Sequence, residues 1–160
     1  MAKLKWSIVL LAATALPVAA QSIDPNAFRV PIYNGLRHAP DFSGPARKEL
    51  MFKTTIRNGF GFGPVVAGHY ALMSAGCGTQ CIFYWIGDLR TGKILDFPIG
   101  GEYFPELQLT AAPDTKLIIA RWGSSMDNKC TMRVYALEEG AFRQLGLDRS
   151  KSSSCNAMGQ

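Results

Sequence analysis

The chain has 160 residues, a formal charge of +5, 48% hydrophobic residues and four cysteines. That is one domain's worth of chain, large enough to bury a core without help from metals. Its basic residues are scattered, Arg47-Lys48 being the one adjacent pair, and no arginine tract or basic helix supports nucleic-acid binding.

Residues 1–20 carry Lys3 and Lys5, an apolar run from Trp6 to Pro17, then Val18-Ala19-Ala20. This is the pattern of a secretory signal peptide, and the run is shorter than the roughly 20 residues that span a bilayer. Cleavage would leave about 140 residues at a charge of +3, with no membrane anchor. A periplasmic or secreted location follows. Residues 21–45 hold Pro25, Pro31, Pro40 and Pro45 and read as an extended lead-in, pinned by Phe28, Val30, Ile32 and Tyr33. The β domain is placed at 46–160. Ser43-Gly44-Pro45 starts a short turn or helix through Leu50, Met51 to Ile56 is the first expected strand, and Phe60 to Gly63 (FGFG) is expected as a turn tucked under the sheet.

Residues 65–98 organise the rest. Tyr70 to Ser74 and Ile82 to Ile86 are strand-like runs, and the short CGTQC connection makes them antiparallel neighbours, with Gly76 to Cys81 as the hairpin tip. Cysteines at the two ends of that tip fall within disulfide reach, closing it into a ring. Asp88 to Lys93 (DLRTGK) is a polar turn leading into a strand through Phe97. Beyond the Gly100-Gly101 break, Leu107 to Thr110, Leu117 to Trp122, Met132 to Leu137 and Phe142 to Leu145 continue as strands. The polar tail from Arg149 would fray unless Cys155 tied it back.

Four cysteines in an exported chain imply two disulfides, for which three connectivities exist. The favoured pairs are Cys77 with Cys81 and Cys130 with Cys155. The alternative, a redox-active pair, has the wrong spacing (C-x-x-x-C) and no βαβ setting.

Seven or eight short strands separated by turns, without a convincing amphipathic helix, indicate an all-β fold: a small antiparallel sandwich, a partly open barrel or a meander. Two stretches, PDTKLIIARW and DLRTGK, resemble pieces of propeller blades, yet eight strands make two blades and cannot close a ring.

The available chemistry is sparse. His38 and His69 are the only histidines, no metal-ligand spacing or nucleophile elbow occurs, and no cofactor is indicated. His69, on an expected interior strand, reads first as a core histidine and second as a catalytic base. Ser74 lies on the opposite face from His69. Asp88 and Asp96 read as turn caps before paired carboxylates. Tyr84, Trp85, Tyr103 and Trp122 are candidates for a ligand groove, buried packing being the commoner explanation. The distinctive feature is the loop of Gly76, Gly78, Thr79 and Gln80, because a ring closed by cystine binds at a low ordering cost.

The motifs VAGHY, GCGTQC and GDLRTGK, within residues 66–93, resemble a group of small exported bacterial proteins of uncharacterised function. The resemblance implies export and no activity. The cystine-closed hairpin loop is similar to that of a periplasmic lysozyme-inhibitor family, whose loop plugs the enzyme's cleft. This chain carries Gly78-Thr79-Gln80 where that family presents proline, histidine and acidic residues. The leading expectation is a non-enzymatic binding or inhibitory module whose partner is an envelope protein or a cell-wall component. A cell-envelope enzyme using His69 or Asp88, or a structural or assembly protein, is the alternative.

Overall fold

The computed structural model describes residues 23–123, 128–152 and 155. The expected signal peptide and the last residues of the tail lie outside them. Among the described residues, eight strands form two four-stranded antiparallel sheets in simple up-and-down order, bearing out the all-β expectation. The first sheet holds β1 (Val65–Val66), β2 (Tyr70–Gly78), β3 (Cys81–Asp88) and β4 (Ile94–Asp96). The second holds β5 (Gln108–Ala111), β6 (Leu117–Trp122), β7 (Cys130–Glu138) and β8 (Ala141–Lys151). Each is a meander with the connectivity of a propeller blade, and the two share one core instead of lying side by side in a ring. Among the described residues no helix is long and apolar enough to cross a membrane.

The shared core follows from strand alternation. Ile86 from β3, Ile118 and Ala120 from β6, and Tyr135 and Leu137 from β7 are all buried in one cluster, joined by Phe97, Ile99 and Leu107 from the connecting strap. Phe97 meets Tyr135 and Phe142 edge to face, with centroids 5.2 Å apart in both pairs.

The opposite face of the first sheet is covered by a helix that the sequence reading missed. Residues Met51 to Ile56 do not form a strand: a 3₁₀ segment (Gly44–Phe52) runs into α1 (Lys53–Phe62). Thr54, Thr55 and Ile56 favour a strand locally. Phe52, Ile56 and Phe60, however, recur at four-residue spacing and so share a helical face, and Ile56 and Phe60 are buried against Ala71, Met73 and Trp85. The FGFG stretch is therefore the end of a helix, and its two phenylalanines part: Phe60 is buried and Phe62 is exposed.

Glycines make the helix–sheet contact close in both directions. A Cβ on Gly87 of β3 would lie 2.3 Å from the Phe60 ring, and one on Gly59 of α1 would lie 2.0 Å from Met73 Cγ. Each large side chain thus occupies the space that a missing Cβ leaves.

The proline-rich lead-in is strapped across this layer by backbone hydrogen bonds. The N–H groups of Tyr33, His38 and Asp41 donate to the carbonyls of Gly68, Leu89 and Gly92 at 2.8, 2.9 and 2.8 Å. Arg37 Nη1 donates to the carbonyls of Phe60, Gly61 and Gly63 at 3.2, 3.2 and 3.0 Å, satisfying the C-terminal end of α1. Strand β8 also outruns its expected end at Leu145, reaching Lys151 across a bulge near Gly146. Cys130, wholly buried, bonds Cys155, so the segment after β8 is tied back as expected.

Candidate functional site

Strands β2 and β3 stay paired further than the CGTQC spacing suggests. Gly78 stands opposite Cys81, Cys77 occupies a bulge between Gly76 and Gly78, and only Thr79 and Gln80 turn the chain. Gly78 at φ 138° and Gln80 at φ 60° supply the left-handed backbone that this turn requires. Cys77 and Cys81 are bonded, with Cα atoms 5.0 Å apart. Both expected pairings are thereby present, and no cysteine is free.

A second clamp, not foreseen, holds the hairpin from the side. The strap after β4 runs along β3: the N–H groups of Phe97, Gly101 and Glu106 each donate at 3.0 Å to the carbonyls of Tyr84, Ile82 and Gln80. Gln80 Nε2 returns a hydrogen bond to Glu106 Oε1 at 3.0 Å. The Gln80 side chain therefore fixes the loop. Gly76, Cys77, Gly78 and Thr79 remain exposed. Tyr103, 92% exposed, projects from the same strap three residues before Glu106.

His69 lines a separate cleft of about 440 Å³, bordered by the lead-in and by Tyr70, Arg90, Lys116 and Glu139. His69 is not on an interior strand; it ends the tight turn between β1 and β2, where Ala67 and Gly68 have positive φ. Its Nε2 lies 3.7 Å from Asp88 Oδ1, so the structure does bring the two residues together. Arg90, however, places Nη2 at 2.6 Å from that same nitrogen. A guanidinium can only donate, so Nε2 accepts and its lone pair is occupied. Asp88 Oδ1 also accepts the Arg90 N–H at 2.9 Å, the turn-capping role expected of it. Burial, then the Arg90 charge, push the His69 pKa down against the opposing pull of Asp88. The result is a neutral histidine locked to an arginine.

Neither a family model, nor a curated protein, nor a solved structure matches the chain.

Of the remaining candidates, Tyr84, Trp85 and Asp96 border one groove beside Lys48, and Tyr103 and Trp122 lie outside it. Tyr84 and Trp85 are adjacent on β3 and so point to opposite faces: Tyr84 packs on the inter-sheet core and donates to the Leu107 carbonyl at 3.1 Å, while Trp85 is buried under Phe52. Trp122 packs on Phe104 at 5.3 Å and under the Arg133 guanidinium at 5.1 Å, in the second sheet. The four aromatics line no common groove. Asp96 ion-pairs with Lys48, away from Asp88. Among the described residues no group of three His, Cys, Asp or Glu is placed to hold a metal.

The His69 geometry predicts a pH effect on stability. The neutral form is the folded form, whereas the unfolded chain protonates at the ordinary value of 6.5. With the folded pKa depressed, stability is full above that value and falls as the pH drops below it. Urea midpoints measured on either side of the ordinary histidine pKa should therefore decline on acidification, and His69→Gln should flatten that part of the decline. An unchanged slope in the variant contradicts the assignment.

Proposed function

We propose that the protein is a non-enzymatic binding or inhibitory module, exported to the periplasm or beyond, that presents the β2–β3 hairpin tip to an envelope protein or a cell-wall component. One observation carries this reading: the tip is fixed twice, by the Cys77–Cys81 bond and by the Gln80–Glu106 clamp, yet Gly76 to Thr79 stay exposed. A turn that only needed to join two strands needs neither device, and a prefixed loop loses little entropy on binding. The disulfides and the resemblance to small exported proteins support the export part of the reading.

A cell-envelope enzyme is the second reading, favoured by the 3.7 Å approach of Asp88 to His69, which lines an open cleft. The arginine on Nε2 weighs against it.

Thr79→Arg tests the first reading. Thr79 is exposed, so the variant should melt with the wild type while losing the specific envelope partner by at least about tenfold, since a charge forced into a packed contact costs over 1.4 kcal/mol. Affinity capture from envelope extract, quantified for both forms, reads this out. Recovery of the same partners in the same amounts overturns the hairpin as the recognition surface.

A further inference from the structure

A second groove, distinct from the hairpin tip and from the His69 cleft, lies between the 3₁₀ segment before α1 and strands β3 and β4. Its volume is about 340 Å³. One wall is aromatic: the rings of Phe52 and Phe83 stand 4.8 and 6.5 Å from that of Trp85. The wall is open to solvent at Phe83, which is 40% exposed.

The other wall is charged, and among the described residues its charges do not balance. Lys48, Glu49 and Asp96 bring two carboxylates to one ammonium. Asp96 takes the close contact with Lys48 Nζ. The Glu49 carboxylate, its side chain only 10% exposed, holds a longer ion pair with the same nitrogen at 3.6 Å. Two carboxylates thus share one ammonium, and the group that would complete the pairing is a second cation.

We infer that this groove binds an arginine side chain of a partner polypeptide. The match is chemical on both walls. A guanidinium is planar and weakly hydrated, stacks on aromatic faces, and pairs with a carboxylate through two parallel N–H groups. Its apolar stem suits the rings, and its charge brings the groove to neutrality. A neutral polyol would leave the two carboxylates sharing one ammonium, and an anion would add to the excess.

Lys48 gives the inference its sharpest consequence. It competes with the incoming guanidinium for both carboxylates, so removing it strengthens binding, whereas for an anionic or sugar ligand it would be a contact and its removal would weaken binding. The probe is the peptide acetyl-Gly-Arg-Gly-amide, with citrulline in place of arginine as the neutral control, followed by amide chemical shifts of the folded protein at about pH 7. The arginine peptide should shift the amides of Phe52, Phe83, Trp85 and Asp96. The citrulline peptide should bind at least about tenfold more weakly, as should the arginine peptide to Glu49→Gln, a factor worth about 1.4 kcal/mol. Lys48→Met, at a surface position 64% exposed, should bind the arginine peptide several-fold more tightly. Should Glu49→Gln fail to fold, Asp96→Asn and Lys48→Met decide the matter. Equal binding of both peptides, shifts confined to other surfaces, no shifts at about 10 mM peptide, or weaker binding by Lys48→Met overturns the site.

Discussion

Replacing Phe60 with alanine is expected to cost about 3–5 kcal/mol, the range for removing a buried phenylalanine whose surroundings cannot collapse. Phe60 is 1% exposed and joins Ile56, Ala71, Met73, Trp85 and Leu89 in the layer between α1 and the first sheet. The collapse is obstructed for a specific reason. The floor beneath the ring is the backbone of Gly87, which has no side chain to swing into the void. The same helix end receives Arg37 through the carbonyls of Phe60, Gly61 and Gly63, so loosening it also loosens the lead-in. Thermal unfolding should show the midpoint falling by about 10 °C or more. A loss under about 1 kcal/mol would mean that the helix is not packed on the sheet as described.

The second large effect is expected at the Cys130–Cys155 bond. It closes a loop of sequence separation 25, against 4 for Cys77–Cys81. Chain entropy then assigns about 3.5 kcal/mol to the longer loop and about 2 kcal/mol to the shorter one. Cys130→Ala with Cys155→Ala should therefore lower the urea-derived stability more than Cys77→Ala with Cys81→Ala, and the wholly buried position of Cys130 adds lost packing to the difference. The ordering is the test. If the hairpin pair proves the more stabilising, its bond belongs to the scaffold, and its interpretation as a device for shaping a recognition loop fails.

What the sequence reveals and conceals here has a common physical cause. Local signals place the central hairpin, strand β6 and the β7–β8 turn, where Glu139 and Gly140 adopt positive φ. Both disulfides are legible because the cysteines of each pair sit at positions that local structure brings together. The helix is hidden because Thr54, Thr55 and Ile56 vote locally for a strand, and the decision is taken by contacts with Met73 and Trp85, far along the chain. The aromatic groove is only half legible: Tyr84 and Trp85 border one groove, with their rings on opposite faces of β3, while Trp122 lies in the second sheet. The Gln80–Glu106 clamp and the Arg90 contact on His69 join residues 26 and 21 positions apart, and neither residue type at such spacing signals anything by itself.

The central claim is that the hairpin tip is the surface that meets a partner. Site-specific photo-crosslinking tests it most directly, with the photoreactive residue placed at Thr79 in one form of the full-length protein and at Leu147 in another. Leu147 is 91% exposed on β8, in the other sheet, and serves as the control. A discrete crosslinked species formed in the cell envelope from position 79 and absent from position 147 is the predicted result. Crosslinking from position 147 alone, or the same species from both positions, would contradict it.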